Sequence, residues 1–266
     1  MKKTGKILSA LYLVLILAFV YAPILLLFVY SFTASKTVGV WTGFTFANYE
    51  NLFSIKDIRD VFINTFVLAF LAAAISTVLG TFGAIGIFYN RKWLGKIVKS
   101  ASQIPVINAE IVTAISLALV FSVVGLGKSY AALLIGHIVL CAPFVVLSVL
   151  PKLKQMDGSL YEAALDLGAT PAQALFKVVL PEILPGVFSG FMLAVTLSLD
   201  DYMITAYTKP ASFESISTYV FGAIKKPKNA YLAELRALSS VLLVIMIAIV
   251  LVINLRKKKE NSLTIK

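Results

Sequence analysis

The chain has little of what catalytic and metal sites are built from. Its 266 residues include one cysteine, Cys141, and one histidine, His137. A lone cysteine excludes an internal disulfide and any cysteine-based metal site, and within an apolar run it reads as a packed side chain. His137 has no ligand cluster around it and reads as a hydrogen-bonded structural residue rather than a metal ligand or proton relay. No nucleophile stands with a base, and no metal-ligand spacing occurs. The run Gly125-Leu126-Gly127-Lys128-Ser129 imitates a phosphate loop, but Ser122 occupies the place of the leading glycine. Its context is also wrong, being a short loop between apolar stretches rather than a strand entering a helix. No cofactor or nucleotide site is expected on this chain. Charge is scarce as well: 14% of residues are charged and 59% are hydrophobic, a balance foreign to a soluble domain of this length.

What is present is apolar length. Six stretches carry few ionisable residues: Ile7 to Ser35, Val61 to Asn90, Ser100 to Gly127, Ser129 to Pro151, Ile183 to Thr208 and Ala237 to Leu255. Each is long enough for a helix to cross a hydrocarbon core of roughly 30 Å. The short apolar/polar alternation of a membrane barrel does not occur, so helices are the expected solution. The fold class expected is an all-α membrane protein with six transmembrane helices.

The net charge of +11 does not point to nucleic acid, because the basic residues sit at the ends of these stretches. With six crossings and the N-terminus inside, fifteen of the 24 lysines and arginines face the cytoplasm, which orients both termini inward. The segment carrying Lys209, Lys225, Lys226, Lys228 and Arg236 dissents, and it is readable as a docking surface for a partner protein. The run after Lys2, Lys3 and Lys6 is longer than a signal core and lacks a small-residue cleavage pattern, so it reads as an uncleaved anchor.

Two polar interruptions stand out. The first outer loop, Lys36 to Asp60, is rich in aromatic residues around Trp41. The second, Lys152 to Glu182, specifies two short helices with a sharp joint. Ser159 can cap the first, and Gly168 supplies the left-handed position that ends it. Thr170 caps the second, with Pro171 at its first position and Gln173 placed to close a capping box. Pro181 ends this helix or lies close to the turn into the fifth crossing. The face formed by Ala163, Ala164, Leu167 and Leu175 offers a partner protein something to grip.

The series Glu162-Ala163-Ala164, three residues, Gly168, nine residues, Val178, one residue, then Leu180-Pro181 resembles the EAA signature of permease subunits in bacterial ABC importers. Val178 stands where that family usually has isoleucine. The resemblance implies a type I importer permease bundle covering about residues 61–256. Residues 1–60 then form a first helix and outer loop, and 257–266 a basic cytoplasmic tail. It also implies that residues 159–180 form the coupling hairpin seated in an ATPase subunit, with Glu162 orienting it by hydrogen bonding or salt bridging. ATP is then bound by that partner, and the chain itself is not an enzyme. The partners implied are a second permease subunit, a pair of ATPase subunits and an extracytoplasmic binding protein.

Carboxylates inside apolar crossings are costly unless paired or hydrated, and so they mark function. Glu110 is expected in the cytoplasmic half of the third crossing, and Asp200 and Asp201 toward the outer side of the fifth. No lysine or arginine lies within these crossings, so positive charge must come from a partner, from water or from a cationic substrate. A polyamine fits the last option, with Ser198, Tyr202 and Thr205 as hydrogen-bond partners. A solvated helix end or an intersubunit contact is the alternative for these acids.

The runs Trp41-Thr42-Gly43-Phe44-Thr45, Glu110-Ile111-Val112-Thr113, Cys141-Ala142-Pro143-Phe144 and Ser198-Leu199-Asp200-Asp201 are similar to the C-type permeases of spermidine/putrescine importers. That resemblance implies a substrate pathway through Trp41, Glu110, Ser198, Asp200 and Asp201. Glu110 stands where the family often has aspartate. Trp41 is equally readable as an interfacial anchor. The rival readings are the same architecture with another small solute, a proton-coupled secondary transporter, and a channel or scaffold. The second expects internal repeats, which are not visible here.

Overall fold

The computed structural model describes residues 2–35, 39–52, 54–89, 100, 104, 106–225 and 232–263, with side chains described between residues 11 and 251. Among these, regular structure is helical apart from one isolated antiparallel bridge between Thr33 and Phe44. In chain order the helices are α1 (Lys2–Tyr30), α2 (Ala47–Leu52), α3 (Lys56–Tyr89), α4 (Glu110–Val123), α5 (Tyr130–Gln155), α6 (Ser159–Asp166) and α7 (Pro171–Ala174). A π turn (Leu175–Val179) follows, and then α8 (Leu180–Asp200), α9 (Met203–Thr208), α10 (Ile216–Ile224) and α11 (Leu232–Leu263). Among the described residues, five segments are long and apolar enough to cross a membrane: Leu11–Tyr30, Lys56–Tyr89, Tyr130–Gln155, Pro171–Asp200 and Leu232–Leu251. The remaining expected crossing, the third in chain order (Ser100 to Gly127), falls partly outside the described residues. Its described helix, α4, has 14 residues, about 21 Å of rise.

The chain divides into two compact units, one of Met1–Asp60 with Tyr219–Ile247 and the other of Val61–Thr218 with Ala248–Lys266. In the first, buried Asn48 ties the loop to the end of α1 by donating from Nδ2 to the Ser31 and Thr33 carbonyls, both at 2.8 Å. Phe32 stacks on Phe44 and meets Phe46 edge-on. Arg236 donates to the Ser35 carbonyl. The aromatic loop is thus folded onto its own unit.

In the second unit α5 and α8 pack closely because α8 presents small residues at four-residue spacing. Gly186, Gly190, Ala194 and Ser198 are all buried. A Cβ at Gly190 would lie 3.1 Å from Val145 Cγ1, and one at Gly186 would lie 2.8 Å from Lys152 Cγ. Such stripes let backbones approach where lipid supplies no hydrophobic drive for helices to associate.

Two local expectations are corrected. Ser159 does not cap α6; Asp157 does, its Oδ1 accepting from the Ser159 amide at 3.0 Å and from Ser159 Oγ at 2.8 Å. A carboxylate two residues upstream reaches the first-turn amide and binds it more strongly than a hydroxyl can. Nor does Pro181 end a helix, because Pro171–Asp200 runs as one 30-residue helical segment. The π turn makes this possible. The Leu180 amide donates to the Leu175 carbonyl, and this widening accommodates a ring that would otherwise press on the carbonyl of Lys177.

Candidate functional site

Two helices stop at the same place. The chain before α4 is extended at Ala109 (φ −61°, ψ 132°), so that Glu110 is the first residue of its helix. The expected fifth crossing is likewise discontinuous: α8 ends at Asp200, and Asp201 is extended (φ −62°, ψ 128°). Between these ends lies a cavity of about 270 Å³ lined by Val106, Asn108, Glu110, Thr113, Leu140, Phe144, Thr196, Leu197, Asp200 and Asp201. The expected separation of the acids in depth is therefore corrected, since Glu110, Asp200 and Asp201 border one space. The start of α4 at Glu110 and the end of α8 at Asp200 face this same space.

The electrostatics of this cavity favour a cation. Among the described residues, three of its ten lining residues are carboxylic acids and none is basic. The unsatisfied carbonyls at the C-terminal end of α8 add partial negative charge beside Asp200. Phe144 offers an aromatic face and Asn108, Thr113 and Thr196 offer neutral hydrogen-bonding groups, which is the composition that orients a cationic chain. Irregular backbone at membrane depth is tolerated where it borders such a cavity.

The acids are not equivalent. Glu110 and Asp200 are exposed, whereas Asp201 is buried. Asp201 caps α9, with Oδ1 accepting from the Ile204 amide at 3.1 Å and Oδ2 accepting from the Thr205 amide at 2.8 Å and the Thr205 hydroxyl at 2.7 Å. Ser198, expected in the pathway, is buried one turn earlier on α8, where its Oγ lies 2.7 Å from His137 Nδ1. His137 is hydrogen-bonded as expected, but its partners belong to the residues around the site. Its role there had no signal in the sequence, because the cap that gathers its partners depends on where α8 breaks.

The hairpin is built largely as its sequence specifies. Gly168 adopts φ +86°, and the Ala169 amide donates to the Ala164 carbonyl at 3.0 Å, closing α6 in a Schellman motif. Thr170 and Gln173 form the reciprocal capping box with Pro171 at the start of α7. Tyr161 packs on Tyr89 with ring centroids 5.0 Å apart, and Phe176 on Phe82 at 6.3 Å, which fixes the hairpin to the last turns of α3. Ala164 is buried, while Glu162, Ala163 and Leu167 are exposed, Leu167 at 89%. Leu180 and Pro181 open α8.

Trp41 belongs to the other unit, where it meets Tyr30 edge-on at 6.3 Å and is about half exposed. Of the basic residues expected on the outer side, Lys209 pairs with Glu214 at 2.7 Å, and Lys225 lies over the Phe221 ring. Lys226 and Lys228 lie outside the described residues.

Residues 2–256 match the family model described as binding-protein-dependent transport system inner membrane component. The spermidine/putrescine transport system permease protein PotC of Haemophilus influenzae is 32% identical over 251 residues, covering 94% of this chain and 96% of its own length. PotC of Escherichia coli is 31% identical over 266 residues, covering 98% and 99%. The putrescine transport system permease protein PotI of Escherichia coli is 30% identical over 236 residues, covering 85% and 82%. The fold is similar to that of a chain in the crystal structure of a bacterial ABC transporter that imports the acidic polysaccharide alginate, with a TM-score of 0.70 at 20% identity over 97% of this chain and 96% of that one. The family model spans nearly all of the sequence and the relatives align along nearly their whole length, so this chain belongs to the binding-protein-dependent transport system inner membrane components, the multi-pass permease subunits of ABC importers.

Proposed function

We propose that this permease subunit passes polyamine cations of the spermidine/putrescine class into the cytoplasm. The observation that carries the reading is the cavity bordered by Glu110, Asp200 and Asp201, with no basic side chain among the described residues of its lining. Relatives named for spermidine and putrescine transport support the same cargo. In this reading Glu110 and Asp200 meet ammonium groups, Phe144 lies against the methylene chain or an ammonium group, and Trp41 offers the passing cation a further aromatic face. Ser198 and Asp201 support the wall.

A second permease subunit completes the pathway, two ATPase subunits bind ATP beneath it, and an extracytoplasmic binding protein delivers the cargo. Both termini of this chain face the cytoplasm. The exposed Glu162, Ala163 and Leu167 and the turn at Gly168 engage the ATPase, and the rigid caps at Thr170 and Pro171 pass its closure through Leu180 and Pro181 into α8. Glu162 orients the contact by hydrogen bonding or salt bridging. A different small solute is the alternative; the excess of acids around the cavity opposes an anion.

Asp200→Asn in the assembled transporter tests the cargo. ATP-driven spermidine uptake should fall about tenfold, the scale of one lost charge-assisted contact, while subunit assembly is kept. Normal uptake by this variant would remove Asp200 from the pathway.

A further inference from the structure

Asp201 is the least free of the three acids. Its residue is 3% exposed, and both carboxylate oxygens are committed to the first turn of α9. The oxygen that accepts from Thr205 is also the one that His137 faces, with Nε2 3.4 Å from Oδ2. His137 is fully buried on α5 and touches both sides of the break in the fifth crossing: Ser198 Oγ on α8 is 2.7 Å from Nδ1, and Thr205 Oγ1 on α9 is 3.0 Å from Nε2. One arrangement of protons satisfies every atom. Thr205 donates its hydroxyl proton to Asp201 and accepts from His137 Nε2–H, leaving Nδ1 to accept from the Ser198 hydroxyl. A side chain that only filled space would not need one hydrogen bond to each half of a broken helix.

We propose that His137 is a positioning residue for cation binding: by bridging Ser198 and Thr205 it holds the α8–α9 break at one geometry and keeps Asp201 in the wall, so that Glu110 and Asp200 converge on the cation. The inference rests on the polyamine reading of the cavity. It assigns three tasks to the acidic group. Asp200 is held at a fixed helix end, Glu110 approaches from α4, and Asp201 stabilises the backbone between them. Rotation of either helix at the break would move Asp200 away from Glu110 without removing any charge. The role therefore shows as lost affinity, not as lost assembly.

The test measures equilibrium dialysis of labelled spermidine against the assembled permease and ATPase complex without binding protein. In His137→Leu affinity should weaken about tenfold or more, and His137→Gln, which keeps a donor and an acceptor, should restore it to within about threefold of wild type. Subunit stoichiometry and basal ATP hydrolysis should stay unchanged in both. Equal binding by His137→Leu and wild type would overturn the positioning role alone, as would glutamine binding no better than leucine. A wild-type complex that binds no spermidine would overturn the polyamine reading, and this inference with it. If His137→Leu fails to assemble, Ser198→Ala decides: it removes the Nδ1 partner with little change of volume and should weaken binding by about threefold or more. Unaltered binding would contradict the proposal.

Discussion

A carboxylate at membrane depth costs several kcal/mol unless something compensates it, and the three acids of this chain are compensated differently. Asp201 accepts two backbone amides and a hydroxyl, so its environment is complete within the protein. Asp200 and Glu110 are exposed to the cavity, and their environment is completed by what enters it. Charge-removing substitutions at Asp200 and Glu110 should therefore act on cargo, whereas Asp201→Ala, which deletes the cap of α9, should destabilise the subunit by about 1 kcal/mol or more, read as a lower midpoint in thermal unfolding of the detergent-solubilised complex. Ahead of α6, Asp157 is held below the usual aspartate range by hydrogen bonds from the Ser159 amide and hydroxyl. A lowered folded-state value means that the cap is fully present above the unfolded value, near 3.8, and is lost as pH falls through the folded one. The protection factor of the first-turn amides of α6, which removes the intrinsic pH dependence of exchange, should thus be unchanged across neutral pH and fall only in strong acid, and Asp157→Ala should show the reduced protection at pH 7.

Elements with purely local codes were legible in the sequence, and those that depend on a neighbour were not. The Thr170–Gln173 box and the turn at Gly168 could be read because each is decided within a few residues. The continuity of α7 through the π turn into α8 was hidden, since Pro181 alone argues for a stop. The break before α4 was hidden because Asn108 and Glu110 lie inside a mostly apolar stretch long enough to span, and overall apolarity does not show where within it a helix begins. The Gly186, Gly190, Ala194 and Ser198 stripe went unread in the sequence, because it acquires meaning only against Val145 and Lys152. Two predictions belong at this scale. Gly190→Leu should destabilise the subunit by about 1–3 kcal/mol or prevent its accumulation, because α5 and α8 would be forced apart, and membrane yield with thermal unfolding reads this. Gly168→Ala should strain a left-handed position by about 1 kcal/mol. Its expected signature is a lower ratio of transport to ATP hydrolysis with the cavity intact.

For the molecule as a whole, composition was enough to indicate a helical membrane protein, because the bilayer imposes that constraint on any sequence. The hairpin spacing was enough to indicate the family. The site was legible only as a set of residue types: Glu110, Asp200 and Asp201 were identifiable as costly acids, but their convergence on one cavity depends on where α4 starts and α8 ends, and Ser198 turns out to face His137. Orientation is testable directly, since a cysteine placed in the tail beyond residue 257 should react with a membrane-impermeant thiol reagent only from the cytoplasmic side. The central claim, that an acid-lined cavity in an ATP-driven importer carries polyamines, is tested most directly by uptake of labelled spermidine and putrescine into proteoliposomes. These should hold this subunit with its co-purifying partners, with and without ATP and the binding protein. Uptake that requires both ATP and binding protein is the predicted result; ATP hydrolysis stimulated by another solute but not by polyamines, or uptake driven by a proton gradient alone, would contradict it.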